Sequence, residues 1–295
     1  MKEALQLPSP LQKLEIEIAK QKNIQIYLKR DDLIHPSISG NKWRKLKYNI
    51  QQAQQENKQT LLTFGGAFSN HISATAATGK MFGLKTIGII RGEEHQPLNK
   101  TLQFATDCGM QLFYVDREKY RKKNNLDFQA LIPDFDKEKT YILPEGGANA
   151  LAIKGCAEIV DELNTPFDYI VCACGTGTTI AGIATNLQAH QQAIGIAVLK
   201  NEHLEQEIRQ QIPSINARFS ILPTRFGAYA KTTPELINFI KQFYSEHHIL
   251  LDYVYTGKMM LTLFQLIEEY YFPENSTIIA IHTGGTKNAN VFDVF

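Results

Sequence analysis

The chain has 295 residues, of which 43% are hydrophobic, so it can bury a large core within one or two domains. Its 31 basic and 30 acidic residues give a formal charge of +1, which provides no overall field for nucleic acid or an anionic membrane. No apolar run approaches the roughly 20 residues of a spanning helix, and the first ten residues lack a signal-peptide core. We therefore expect a cytoplasmic protein with neither nucleic acid nor membrane as a partner.

Short β-type segments alternate with helical segments along the whole chain. Several of the β-type segments are continuously apolar, as in parallel strands buried on both faces. The predicted strands are IQIYLK (24–29), TLLTFGG (60–66), KTIGIIRG (85–92), QLFYVD (111–116), YILPEGG (141–147), DYIVCACG (168–175), AIGIAVL (193–199) and TIIAIHTGG (277–285). The predicted crossover helices include 70–83, 149–163 and 178–192. This alternation predicts a doubly wound α/β protein.

The cysteines and histidines predict no metal site. The four cysteines are too few for a disulfide framework in a chain this long, and Cys172 and Cys174 lie in the apolar run YIVCAC. Together with His71 and His282 they show no metal-ligand spacing. Reduced, buried thiols are the expectation.

The segment CGTGTTIAG follows a predicted strand and opens a predicted helix. Gly175 and Gly177 allow a sharp turn, and the amides and hydroxyls of Thr176, Thr178 and Thr179 could hold a phosphate. The alternative is an ordinary strand-to-helix turn with a threonine cap. Ile180 replaces the third glycine of a dinucleotide fingerprint, so one phosphate suits the loop better than a pyrophosphate.

A second strand-end turn, FGGAFSNH, places Ser69, Asn70 and His71 at the start of a helix. Their amides and side chains could hold a carboxylate or a phenolate. The alternative is plain helix capping by Ser69 or Asn70, with His71 as a structural histidine.

Three further segments supply groups for proton transfer and covalent chemistry. Tyr255 follows a predicted strand end and Tyr229 lies in RFGAYAKT, where each is either a packing residue or an acid–base group. Lys42, in GNKWRKLKY, could act as an amine nucleophile if burial lowers its pKa. Pyridoxal phosphate has one phosphate, one phenolate and one aldehyde, and it matches this combination of groups.

The sequence resembles the pyridoxal-phosphate-dependent family that contains 1-aminocyclopropane-1-carboxylate (ACC) deaminase and D-cysteine desulfhydrase. The resemblance covers nearly the whole chain and rests on several motifs in the family's order. These motifs are LPSPLQKL, YLKRDDL, SGNKWRKL, GGAFSNH, PEGGANALAIKG, GTGTTIAG, VYTGK and HTGG. The resemblance implies a tryptophan-synthase-β-like fold of type II, with two open, twisted, mostly parallel sheets flanked by helices. It further implies a large domain of residues 1–45 and 152–295, a small domain of residues 46–151, and a homodimer.

The resemblance also implies roles for individual residues. Lys42 would form the Schiff base with pyridoxal phosphate, Asn70 would contact the cofactor's ring oxygen, and the loop from Gly175 to Thr179 would hold its phosphate. Ser69, with the amides of Asn70 and His71, would bind the substrate carboxylate. The remaining catalytic and cofactor-contacting residues are Tyr255, Tyr229, Thr256 and Thr283.

Two of these positions bear on the reaction. ACC deaminases carry a glutamate at the position of Thr256, where it can protonate the pyridine nitrogen, and a leucine at that of Thr283. The threonines resemble D-cysteine desulfhydrases, which favours elimination of sulfide from D-cysteine over opening of the ACC ring. ACC deaminase, a lyase or racemase for another small amino acid, a non-catalytic protein that binds pyridoxal phosphate and, more remotely, an NAD-binding enzyme are the alternatives. We expect Arg44, Lys45 and Lys47 to begin a helix with partly solvated charges, and the chemistry assigns no role to Trp43.

Overall fold

The computed structural model describes residues 5–38, 40–199, 201–212, 218–227 and 230–286. Ten strands lie within these ranges: β1 Leu11–Leu14, β2 Gln25–Lys29, β3 Thr60–Gly66, β4 Lys85–Arg91, β5 Met110–Val115, β6 Thr140–Ile142, β7 Tyr169–Cys174, β8 Gln192–Ala197, β9 Phe219–Pro223 and β10 Thr277–Ile281. The α-helices of the same ranges are α1 Glu17–Lys20, α2 Asn41–Gln55, α3 Asn70–Phe82, α4 Lys100–Asp107, α5 Arg117–Arg121, α6 Phe128–Leu131, α7 Ala150–Asp161, α8 Thr178–Thr185, α9 Leu204–Gln211, α10 Pro234–His247 and α11 Thr256–Glu268.

The strands form two open sheets, and the prediction of mostly parallel sheets flanked by helices is confirmed. The six-stranded sheet has the order β1-β2-β10-β7-β8-β9, in which β1 is antiparallel to β2 and every other pair is parallel. The four-stranded sheet has the order β5-β4-β3-β6 and is parallel throughout. All strands of the smaller sheet fall within residues 46–151, whereas the proposed domain boundaries themselves stay a prediction.

The apolar runs form strands because both faces of the larger sheet are covered. Alternate residues of β7 point to opposite sides: Ile170 and Cys172 pack with α7, α8 and α9, whereas Val171 and Ala173 pack with α10 and α11. The cysteines are free thiols, and all but Cys108 are buried. This packing places the carboxyl ends of the parallel strands, where such sheets bind ligands, along one edge.

The sequence missed two strands and overextended one helix. The missed strands, β1 and β9, are the two edges of the larger sheet and are short and partly exposed, so neither has the apolar run of a central strand. Helix α8 ends at Thr185 instead of continuing to residue 192. The Asn186 side chain there donates to the Asp161 carboxylate at 2.9 Å, which ties the chain to the end of α7.

The expected solvation of the charges in α2 is wrong for two of three residues. Arg44 is 1% exposed and Lys45 is 4% exposed, whereas Lys47 keeps partial exposure and pairs with Glu158 at 2.7 Å. Arg44 donates to Asp31 at 2.7 Å and to Glu162 at 2.9 Å, which anchors α2 against β2 and α7.

Two sets of contacts fix the orientation of α2: the ion pairs of Arg44 with Asp31 and Glu162, and the stacking of Trp43. Burial alone would raise the pKa of Glu162, but hydrogen bonds and charge from Arg44 and Lys29 hold it at about 2. Trp43 is buried on the other side of the helix, where its ring stacks on Phe82 of α3 with centroids 6.1 Å apart. Trp43 therefore packs α2 against α3, while Arg44 binds Asp31 after β2 and Glu162 at the end of α7.

Candidate active site

Lys42 lies in the first turn of α2, directly against the loop that follows β10. Gly40 precedes it with φ +62°, and a Cβ at Gly40 would lie 1.9 Å from the Thr283 carbonyl oxygen. The backbone amide of Asn41 donates to that same oxygen at 3.3 Å. Only glycine fits this close approach, so the GNK motif brings Lys42 beside the half-buried Thr283.

The environment of Lys42 favours an uncharged amine. Burial lowers its pKa well below the usual value, and the positive charge of Lys45, one turn further along α2, lowers it further. Burial likewise lowers the pKa of Lys45, although the neighbouring thiols Cys156 and Cys174 oppose this. The lowered pKa increases the fraction of free amine, which is the form that a nucleophilic lysine requires.

The glycine-threonine loop of residues 175–179 lies at the carboxyl end of β7 and leads into α8. Gly177 has φ +76°, and a Cβ there would lie 2.3 Å from Ile208, so the turn requires glycine. The hydroxyls of Thr176 and Thr178 are 3.1 Å apart. No side chain of the described residues caps α8. One of these two hydroxyls donates to the other and the second hydrogen stays available, so the loop presents a hydroxyl together with helix amides that no described side chain caps, as a phosphate site requires.

A hydrogen bond connects this loop to the start of α2. The side-chain amide of Asn41 donates to the Thr179 hydroxyl at 2.9 Å, and both side chains are buried. Because Asn41 precedes Lys42, the bond fixes the distance between the amine and the 175–179 loop. Apart from its place next to Lys42, nothing in the sequence indicated this role for Asn41.

The second turn, before α3, contains Ser69, Asn70 and His71 as predicted, but several of its groups bind one another. The Ser69 hydroxyl oxygen accepts the amides of His71 at 3.2 Å and Ile72 at 3.4 Å, which makes it the cap of α3. Its hydrogen remains available for a ligand. The Asn70 amide group lies against Gly285, since a Cβ added there would be 3.2 Å from Asn70 Nδ2.

His71 is a buried, neutral histidine. Its Nε2 lies 2.9 Å from the Thr63 hydroxyl, whose own hydrogen is donated to the Leu143 carbonyl at 3.1 Å. Nε2 must therefore carry the ring proton, and Nδ1 has no partner among the described residues. Burial is the largest cause that lowers the pKa of His71 well below the usual value.

Tyr255 lies beside the 175–179 loop at the start of α11. A Cβ at Gly175 would lie 3.4 Å from the Tyr255 ring and 3.8 Å from its hydroxyl. Tyr229, the second predicted tyrosine, lies outside the described residues. Within the described part of the chain, Tyr255 is the predicted tyrosine that lies against the loop.

A buried carboxylate that the sequence analysis missed, Asp252, positions Tyr255. It accepts the backbone amides of Val254 at 2.9 Å, Tyr255 at 2.8 Å and Thr256 at 2.8 Å, and the Thr256 hydroxyl at 2.6 Å. Burial raises its pKa, although these hydrogen bonds act in the opposite direction. A polar residue three positions before the tyrosine, at a helix start, was the available signal.

The contacts bring the predicted residues together around one crevice between the two sheets. Lys42 meets the Thr283 loop, Asn41 meets Thr179, and Tyr255 meets Gly175, as described above. Gly146, which follows β6 of the smaller sheet, also lies at this crevice, since a Cβ there would be 3.2 Å from Thr176. Among the described residues, no group of three or more acidic, cysteine or histidine side chains could hold a metal ion, and no helix is long and apolar enough to cross a bilayer.

Comparison with known proteins gives consistent similarities. The family profile described as pyridoxal-phosphate-dependent enzyme matches residues 3–284. A Thermotoga maritima protein, provisionally named a 1-aminocyclopropane-1-carboxylate deaminase, is 32% identical over 94% of this chain and 94% of its own length. A D-cysteine desulfhydrase of Yersinia pestis is 29% identical over 94% of this chain and 91% of its own length. A crystal structure described as an ACC deaminase homologue superposes with a TM-score of 0.84 at 29% identity, over 99% of this chain and 94% of that one.

Proposed function

The chain belongs to the pyridoxal-phosphate-dependent enzyme family, and on that premise we propose that it is a carbon–sulfur lyase that converts D-cysteine and water to pyruvate, sulfide and ammonia. The cofactor is pyridoxal phosphate. The site fits this cofactor because it combines a lysine whose pKa is well below its usual value with a glycine turn whose helix amides are capped by no described side chain.

Residues of the two strand-end loops would hold the cofactor and the substrate. The amides and hydroxyls of the 175–179 loop would bind the phosphate, with the buried amine of Lys45 offsetting part of its charge. The Ser69 hydroxyl, whose hydrogen has no acceptor among the described residues, would donate to the substrate carboxylate. When bound, the cofactor supplies a carbonyl for the substrate amine and an electron-withdrawing ring.

Proton transfer would rest on Lys42 and Tyr255. Lys42 Nζ would accept the proton from the substrate Cα in its uncharged form, which its lowered pKa favours. Tyr255 Oη, beside Gly175, is suited to give a proton to the departing sulfur. Asp252 would hold Tyr255 in this position through the backbone amides that it accepts.

Thr256 is the observation that carries the choice of sulfide elimination. It stands where the resemblance places the partner of the pyridine nitrogen, and its single hydroxyl hydrogen is donated to Asp252 at 2.6 Å. A hydroxyl cannot give that nitrogen a full positive charge. Loss of a thiolate, a good leaving group, needs less electron withdrawal than opening a cyclopropane ring.

ACC deamination to 2-oxobutyrate and ammonia is the second candidate, favoured by the names of the Thermotoga maritima relative and of the superposed structure. A bifunctional D-cysteine desulfhydrase/1-aminocyclopropane-1-carboxylate deaminase from Arabidopsis thaliana, 29% identical over 95% of this chain and 76% of its own length, carries both names. Assembly as a homodimer and a cytoplasmic location stay predictions.

A substrate comparison tests the proposal. The purified holoenzyme is incubated separately with D-cysteine, L-cysteine and ACC, and sulfide, pyruvate and 2-oxobutyrate are measured. We expect sulfide and pyruvate in equal amounts from D-cysteine and no 2-oxobutyrate from ACC. Formation of 2-oxobutyrate without sulfide release from D-cysteine would establish the second candidate instead.

A further inference from the structure

A cavity of about 1030 Å³ lies at the carboxyl end of the four-stranded sheet. Its walls are the segments that follow β3, β4 and β5, together with α5 and Glu145. Ser69, Asn70 and the 175–179 loop are absent from its described lining. Open parallel sheets bind ligands at the carboxyl ends of their strands, so the cavity is in a favourable place for a second ligand.

Three arginines without an anionic partner line this cavity. Arg91, Arg117 and Arg121 are exposed, and within the described part of the chain they form no ion pair or side-chain hydrogen bond. The Arg91 guanidinium lies over the Tyr120 ring, 5.6 Å from its centroid. These three positive charges are therefore available to an anion that enters the cavity.

The acidic residues of the lining do not neutralise these arginines. Asp116 accepts the amides of Glu118 and Lys119, which uses its carboxylate as the cap of α5. Glu145 pairs with the remaining cation of the lining, Lys123, at 3.1 Å. Glu93 is left as the single lining carboxylate without a described partner, against three arginines. The unpaired groups thus carry a net positive charge.

Tyr120 adds a buried hydroxyl to the same wall. It is 3% exposed, and its oxygen has no partner in hydrogen-bonding geometry among the described residues. Burial raises its pKa, and so do the negative charge and the nearby acceptor oxygens of Glu145, so the group stays a protonated donor at neutral pH. Glu145 does not meet hydrogen-bond geometry with this hydroxyl and pairs with Lys123, so an anion that enters the cavity can accept the Tyr120 hydrogen instead.

We propose that this cavity binds a small organic dianion, such as a dicarboxylate or a phosphate monoester, at a site separate from the cofactor and substrate. The forked guanidinium groups of Arg91, Arg117 and Arg121 match the planar oxygens of a carboxylate or phosphate. The Tyr120 hydroxyl donates to one further oxygen. Phe68, 71% exposed in the cavity lining, covers the carbon portion of the ligand.

Calorimetric titration of the holoenzyme with malonate, at constant ionic strength, tests this site. We expect saturable binding by the unaltered protein. Loss of one charge-assisted contact in Arg91→Gln or Arg117→Gln weakens it by about tenfold. Arg218→Gln, which removes an exposed arginine before β9 in the other sheet, is the matched control and leaves the affinity unchanged.

Tyr120→Phe gives an independent check, because it removes the buried donor while keeping the ring under Arg91. We expect severalfold weaker malonate binding with an unchanged circular dichroism spectrum. Absence of saturable binding of both malonate and inorganic phosphate by the unaltered holoenzyme overturns the proposal. So does an equal affinity for malonate in Arg91→Gln and Arg218→Gln. The result does not depend on the identity of the amino-acid substrate, since no turnover is measured.

Discussion

The turns after β3 and β7 have similar sequences, but they differ in what they leave for a ligand. Both join a buried strand to a helix through two glycines and hydroxyl residues. In the first turn, Ser69 caps α3 and accepts two of its free amides. In the second, Gly177 stands at the cap position of α8 and no described side chain takes its amides. The second turn is therefore suited to a phosphate, and the first retains mainly hydroxyl and amide side-chain donors.

The difference arises from the residue at the cap position. A serine oxygen satisfies helix amides as well as a ligand oxygen does, so a serine cap competes with an anion for the same donors. A glycine in the left-handed conformation cannot compete, because it has no side chain. One position thus separates a self-satisfied helix start from an open one.

Replacing Lys42 should have the largest effect on activity. Both turns would bind groups of the cofactor and the substrate, but the proposed reaction itself depends on the Lys42 amine. We expect Lys42→Met to lower sulfide release from D-cysteine by about 10³-fold or more. Lys47→Met is the matched control on the same helix, since Lys47 pairs with Glu158 and is partly solvated. Activity within a factor of ten of the unaltered enzyme would remove Lys42 from the chemistry.

The same variant should change the pH dependence of stability in the cofactor-free protein. Because burial lowers the pKa of Lys42, the unfolded chain binds more protons than the folded one between the lowered pKa and the unfolded pKa of about 10.4. Lys42→Met removes this penalty, so its gain in unfolding free energy is full at and below the lowered pKa and shrinks as the pH rises from there toward 10.4. Urea unfolding at several pH values measures it, and a gain that grows with pH would contradict the lowered pKa.

A pair of substitutions tests the difference between the two turns directly. Gly177→Ala places a Cβ 2.3 Å from Ile208 at a left-handed position, and we expect at least about tenfold weaker cofactor binding in an absorbance titration. Ser69→Ala removes a cap and should cost about 1 kcal/mol of stability, with a higher KM for D-cysteine and cofactor affinity within about twofold. Equal losses of cofactor affinity in both variants would show that the turns do not differ.

Asp252→Asn should have the smallest effect on activity. An amide keeps the shape of the carboxylate but replaces one acceptor by a donor, which leaves backbone amides of Val254 and Tyr255 opposed by an NH₂ group. We expect a stability loss of about 1–3 kcal/mol and a severalfold lower kcat.

Asp168→Asn separates positioning from general destabilisation. Asp168 also accepts a backbone amide, that of Thr277 at 2.8 Å, but at the opposite end of the larger sheet from the site. The Asp168→Asn variant should lose stability and keep the kcat of the unaltered enzyme. An equal fall of kcat in both variants would show that Asp252 acts through stability alone.

Much of the fold was predictable because central parallel strands carry a strong sequence signal. All eight predicted strands are present, and the central strands β3, β4, β7, β8 and β10 show why, since their burial on both faces requires continuous apolar runs. The edge strands β1 and β9 were missed, because an exposed edge needs no such run. Tyr229 lies outside the described residues and stays a prediction.

The sequence by itself determined the amine, the two glycine turns and their order along the chain, because strand-end glycines and a helix-start lysine depend on local backbone chemistry. Only the tertiary structure decided which charges are buried and which groups are already bound. Arg44 and Lys45 looked like a solvated helix face, yet α2 packs against α3 and α7, and Arg44 binds Asp31 and Glu162. Asp252, Asn41 and Tyr120 became informative in the same way, since a hydrogen bond that is made or missing depends on neighbours distant in the chain.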